Sequence, residues 1–96
     1  MQNQLLKPEE LDTLIKIFPK WEHHDKLLKR NFEFREFREA FEFMVKVAEI
    51  AETLDHHPDW SNSWNKVSIS ISTHSAGGLT LLDRRFVEEV ELIFGV

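Results

Sequence analysis

The segment Arg35-Glu-Phe-Arg-Glu-Ala-Phe-Glu-Phe-Met-Val-Lys-Val-Ala-Glu-Ile-Ala-Glu-Thr-Leu-Asp55 holds neither proline nor glycine, and its apolar residues recur every three to four positions. That period predicts one long helix. Phe37, Phe41, Met44, Ala48 and Ala51 form one apolar stripe, and Ala40, Phe43, Val47, Ile50 and Leu54 form a second, about 100° away. The joint arc is wider than a helix lying on one sheet requires. Arg35, Arg38, Glu42, Lys46, Glu49 and Thr53 form a narrow polar ridge. A chain of 96 residues has little to set against the second stripe, so the pattern predicts association between subunits through residues 35–55.

Working outward, the upstream side reads as a helix followed by a hairpin. Pro8 suits the first helical position, Glu9 and Glu10 suit the positive end of the helix dipole, and Pro19 stops the helix. Between them Leu11, Leu14, Ile15 and Phe18 repeat at helical spacing. Trp21–His24 and Lys26–Phe34 read as strands. In the second, Leu28, Arg30, Phe32 and Phe34 share one face, with Arg30 out of place on an apolar face. Downstream, Pro58 keeps the residue before it out of the helical region. Trp60–Trp64 and Val67–Thr73 are expected to pair across an Asn65-Lys66 turn, with Val67, Ile69 and Ile71 on a buried face and Ser68, Ser70 and Ser72 on the other. Gly77-Gly78 marks a loop. Thr80-Leu-Leu-Asp83 resembles a capping box opening a last helix that carries Leu82, Phe86, Val90 and Ile93. The expected order is α-β-β-α-β-β-α. This is an α+β fold in which a four-stranded antiparallel sheet carries three helices on one face, in a single domain spanning 1–96.

Bulk properties narrow the function classes. The absence of cysteine excludes disulfides and thiolate metal sites. The net charge of −5, with both signs interspersed, argues against a nucleic-acid footprint. No apolar run approaches the roughly 20 residues of a membrane span. The start, Met1-Gln-Asn-Gln-Leu-Leu-Lys7, lacks the regions of a signal peptide, so a cytoplasmic location is expected.

The candidate chemistry lies in the histidines. His23-His24 precedes Asp25 in an expected turn, beside no other chemical residue, and receives no function. His56-His57-Pro58 sits where the long helix must end, with Glu52 one turn before His56 and Asp55 adjacent. Unperturbed imidazole titrates near ~6.5, so the pair suits proton transfer at neutral pH. His74 follows the serine-alternating strand and precedes Ser75-Ala-Gly-Gly78, a strand end beside a glycine loop where functional residues are common. Spacing alone does not bring it to the other two. Three imidazoles would suit zinc, but adjacent His56 and His57 turn both rings to one ion less easily than i, i+2 or i, i+4 pairs do, so no metal is expected. Asp83 is explained by helix capping alone. Trp21, Trp60 and Trp64 read as packing residues, one of which could flank a flat heterocycle.

Together, Glu52-Thr-Leu-Asp-His56-His57-Pro58, the aromatic Trp64, His74 and Asp83 resemble the signature of the pterin-4a-carbinolamine dehydratases. Phe41-Glu-Phe-Met44, Leu54-Asp-His-His-Pro-Asp-Trp60 and Ser72-Thr-His74 are also similar, and the likeness extends from about Leu11 to Phe94. Ser61, Ser63 and Ser68 depart from it without touching the motif. The resemblance implies a dehydratase that converts a 4a-hydroxytetrahydropterin, left by an aromatic amino acid hydroxylase, to the quinonoid dihydropterin and water. It implies no cofactor, and assembly as a dimer or tetramer through the long helix. His56 and His74 would be the acid/base pair. His57 would bind and orient the pterin, and Glu52 would position His56 or touch the ring. Asp55, Pro58, Trp21, Ser72 and Thr73 would complete the substrate site. Some relatives are instead dimerisation cofactors of a homeodomain transcription factor or assembly factors, so the rival expectation is a non-catalytic protein-binding role. The complete set Glu52, His56, His57 and His74 favours catalysis, because a pure binder has no need of all four.

Overall fold

The computed structural model describes residues 4–95; residues 1–3 and 96, which belong to the N-terminal reading and domain bounds above, lie outside it. Helix α1 spans Pro8–Ile17, β1 Glu22–His24, β2 Leu27–Glu33, α2 Phe37–Leu54, β3 Asp59–Ser63, β4 Lys66–Ile71 and α3 Leu81–Gly95. A single 3₁₀ turn, His74–Ala76, joins β4 to α3. The four antiparallel strands lie in the order β1-β2-β4-β3, and the three helices complete the expected α+β fold.

Alternation sets the register. Leu28 pairs with Ile71, Arg30 with Ile69 and Phe32 with Val67, so one face of the central strands is apolar throughout except at Arg30. That exception is accommodated by partners rather than by exposure. The Arg30 guanidinium lies over the rings of Phe32 and Phe94, at 4.3 and 4.8 Å from their centroids, and is bonded to Glu91 of α3. The Trp21 indole N–H donates to the same Glu91 carboxylate at 2.8 Å. A cation over two aromatic faces and beside a carboxylate is tolerated where a bare one would not be.

Both hairpins use two-residue turns. Asp25 and Trp64 occupy the left-handed region, with φ of 53° and 52°. The second turn is Trp64-Asn65, one residue earlier than the Asn65-Lys66 expected, since Ser63 pairs with Lys66. Side-chain amides secure the shift. Asn62 donates to the carbonyls of Trp64 and Lys66, and buried Asn65 donates to that of Phe34.

Helix α2 corrects the expectation about its stripes. Ala40, Phe43, Val47 and Ala51 are buried within the chain's own core, and Ile50 and Leu54 are half-buried against it. The exposed apolar row is Phe37, Phe41 and Val45. Helix α3 is the physical reason: it packs beside α2, so the sheet and α3 together cover the arc that a sheet alone would leave bare. At the start of α2, Arg35 donates to Glu39 through Nε and Nη2 at 3.1 and 2.8 Å. This bonding holds the Glu39 carboxyl below the usual carboxylate range and raises the Arg35 guanidinium. The resulting contribution is present above the ordinary carboxylate range and is lost as pH falls through the lowered value; water screens it strongly.

Candidate active site

The site forms where the end of α2 and the loop after β4 meet the start of α3. Helix α2 ends through Asp55 in the left-handed conformation (φ 50°), its N–H reaching the carbonyls of Ala51 and Glu52. Aspartate tolerates this conformation better than most residues because its short polar side chain bonds locally. The His56 N–H also returns to Ala51 at 3.0 Å, which turns the chain so that the His56 side chain points inward and is 10% exposed. On the other side, Thr73 and Gly78 pair through both backbone N–H groups and close the loop between them, with Gly77 at φ 76° allowing the reversal.

Asp83 joins these pieces. Its side chain is fully buried. Oδ2 accepts the backbone N–H of Thr80 at 2.8 Å, which is the expected helix cap, and also the Thr73 hydroxyl at 2.6 Å. Oδ1 accepts from His56 Nε2 at 2.7 Å. With Thr73 donating to the carboxylate, the Thr80 hydroxyl donates to Thr73 Oγ1 at 2.8 Å while accepting the Leu82 N–H at 3.2 Å. The reading of Asp83 as a cap alone is therefore incomplete: one oxygen caps α3 and the other orients an imidazole. Because a carboxylate only accepts, the neutral His56 ring carries its proton on Nε2 and leaves Nδ1 as a free base.

His57 has a separate partner. Its Nε2 donates to Glu52 Oε2 at 2.6 Å, and both side chains are more than half exposed. Glu52 therefore holds His57, not His56 as the i, i+4 spacing implied, because the left-handed Asp55 breaks the helical register between them. His74 opens the 3₁₀ turn directly after Thr73 and is exposed. With Ser72, Gly77 and Gly78 it borders a cleft of about 320 Å³, whose opposite side is the β1–β2 turn. Pro58 is half-buried after His57. Trp21 is the residue that the structure keeps apart. It is 2% exposed, its ring lies edge-on to Phe32, and its one polar atom is engaged by Glu91, so its role is packing rather than substrate contact. Thr80, legible in the sequence only as a capping residue, also joins the network through its hydroxyl. Among the described residues, no group of three or more His, Asp or Glu side chains is placed to hold a metal ion. A larger concavity of about 470 Å³ on the open sheet face has Glu33 and Lys66 as its ionisable lining and no histidine.

This network predicts a specific pair of outcomes. Asp83→Ala removes a cap and strands Thr73 and His56, with an expected cost on the order of 3 kcal/mol, measured by denaturant unfolding. Asp83→Asn retains one acceptor oxygen, which serves either Thr80 or His56 but not both. With that oxygen on Thr80, the amide NH2 faces His56 Nε2, so part of the stability should return while the ring proton is forced from Nε2 to Nδ1.

At the end of α2, then, two adjacent imidazoles are each held by a carboxylate, His56 by buried Asp83 and His57 by exposed Glu52. The family model described as pterin 4 alpha carbinolamine dehydratase matches residues 4–93, and the chain belongs to that family. It is 43% identical over 93 residues to a relative from the SARG strain of Prochlorococcus marinus, covering 97% of each chain, and 47% identical over 94 residues to one from strain MIT 9515, covering 98% of each. Both are provisionally named as pterin-4-alpha-carbinolamine dehydratases. Among solved structures it resembles the transcriptional coactivator/pterin dehydratase of Brucella melitensis, with a TM-score of 0.88 and 35% identity over 94% of this chain and 98% of that one. A pterin dehydratase-like protein described as a RuBisCO assembly factor of the alpha-carboxysome shares the fold, with a TM-score of 0.64 and 20% identity over 78% and 87% of the chains.

Proposed function

We propose that this chain dehydrates 4a-hydroxytetrahydropterins by histidine acid/base catalysis, as a cytoplasmic step in tetrahydropterin recycling after an aromatic amino acid hydroxylase. The observation that carries the proposal is the His56 imidazole bonded to buried Asp83. Dehydration requires loss of the N5 proton, cleavage of the C4a–O bond with formation of the C4a=N5 double bond, and protonation of the departing hydroxyl to water. His56 and His74 act as the acid/base pair, and His57, steadied by Glu52, binds and orients the pterin. Asp55, Pro58, Ser72 and Thr73 complete the surroundings of the ring. Each positioned acid or base contributes typically about 10²–10⁴-fold.

The test follows the absorbance of a synthetic 4a-hydroxytetrahydropterin with and without protein. Acceleration that persists after chelation is expected. Wild-type rates no better than buffer would sink the dehydratase reading, and a chelator-sensitive, metal-restored rate would overturn the cofactor-free one. A second reading is a regulatory role toward a protein partner. It is favoured by the exposed Phe37, Phe41 and Val45 row, which equally supports self-association into a dimer or tetramer.

A further inference from the structure

Two buried hydroxyls determine how the Asp83 carboxylate is held. Thr73 Oγ1 lies 2.6 Å from Asp83 Oδ2, whereas Thr80 Oγ1 lies 3.5 Å away, at the limit of a hydrogen bond. Thr73 therefore donates to the carboxylate, and Thr80 donates to Thr73 at 2.8 Å. The Leu82 N–H, which can only donate, occupies the Thr80 oxygen at 3.2 Å and settles that direction. Oδ2 thus receives two donors from different segments: the Thr73 hydroxyl in the loop after β4, and the Thr80 N–H at the start of α3. A single bond would let the carboxylate pivot about it. Two bonds from two segments fix its plane and keep Oδ1 on His56 Nε2 at 2.7 Å. Among the described residues, Asp83 is the one carboxylate in ion-pair contact with His56.

We propose that Thr73 is a positioning residue for His56: its hydroxyl, aligned by Thr80, holds Asp83 so that the imidazole keeps its proton on Nε2 and leaves Nδ1 as the base. The inference rests on the proposed acid/base role of His56. The loop itself does not need the hydroxyl, because Thr73 already pairs with Gly78 through both backbone N–H groups. Without it, the donors left to Oδ2 are the Thr80 N–H and the distant Thr80 hydroxyl, both from one residue. The clamp becomes one-sided, the acceptor facing Nε2 is no longer fixed, and a neutral imidazole divides its proton between two nitrogens. The expected kinetic loss is about tenfold, less than the about 10²-fold that a full 1 Å displacement can cost.

The experiment compares wild type with Thr73→Val, which keeps the shape, and Thr73→Ser, which keeps the hydroxyl. Two quantities are read: kcat and KM on a synthetic 4a-hydroxytetrahydropterin, and the tautomer of the neutral His56 ring from its ¹⁵N chemical shifts. Wild type should show the proton on Nε2, and Asp83→Asn supplies the reference spectrum with the proton on Nδ1. Thr73→Val should fall between the two, with kcat lowered about tenfold and KM little changed. Thr73→Ser should restore both. A hydroxyl with a merely structural role would lower the melting temperature and leave the tautomer alone. A wild-type proton on Nδ1 would overturn the inference, as would a folded Thr73→Val with wild-type tautomer and kcat, or a Thr73→Ser no better than Thr73→Val. Should Thr73→Val melt below the assay temperature, Thr73→Ala against Thr73→Ser asks the same question, because both lack the methyl and only one keeps the hydroxyl; equal behaviour would overturn the inference. Buffer-level wild-type rates would overturn the dehydratase reading, while the tautomer would still decide whether Thr73 positions His56.

Discussion

The double variant His56→Gln/His74→Gln is expected to lose about 10³-fold or more of the acceleration of 4a-hydroxytetrahydropterin dehydration. Glutamine is the informative replacement at position 56. Asp83 is fully buried and its Oδ1 receives the His56 N–H, so alanine there would leave a buried carboxylate oxygen without that donor, at a cost of about 1–3 kcal/mol. A glutamine amide can still donate, and it has no proton to exchange at neutral pH. Melting curves close to wild type together with loss of rate would therefore separate chemistry from folding. Single variants need not multiply to the double, because residues serving one proton path act as a unit. A double variant that dehydrates at the wild-type rate would remove both histidines from the mechanism. Glu52→Gln should cost less, because the Glu52–His57 pair is exposed and water can replace part of what it supplies.

The fold was legible wherever one periodicity governed a segment. Alternation placed Val67, Ile69 and Ile71 in the core, and helical spacing outlined α1, α2 and α3 to within a few residues. What escaped were features set by two segments at once. Arg30 looked like a flaw in a strand until Glu91, 61 residues later, and the Phe94 ring supplied its partners. Asp83 was fully accounted for by the local cap, and nothing within four residues of it reveals that its second oxygen serves His56, 27 residues earlier. The exchange of partners at Glu52 has a more local cause. An i, i+4 rule holds only while the helix continues, and Asp55 at φ 50° rotates His56 away and His57 into reach.

The same distinction between pattern and packing governs the assembly prediction, in which two nearby valines should part sharply. Val47 is completely buried in the core of a single chain, so Val47→Glu places a carboxylate where the described residues offer apolar contacts. The expected penalty of several kcal/mol is a large part of the roughly 5–15 kcal/mol that holds a domain together, and the variant should be unfolded or loosely packed by near-UV circular dichroism. Phe43→Glu should behave alike at 6% exposure. A lower mass for either variant would thus report unfolding as readily as dissociation, and neither tests the helix interface. Val45 is 51% exposed, on the row with Phe37 and Phe41, whose rings lie 5.7 Å apart. Val45→Glu should keep the native spectrum and melting behaviour of a single chain while reducing the mass measured by light scattering. Association through α2 predicts that Phe41→Glu does the same, because both side chains would be covered by a second copy and a charge there would be desolvated without a partner. A wild-type mass equal to one chain, or an unchanged oligomeric mass in both folded variants, would show that this row is not where copies of the chain meet.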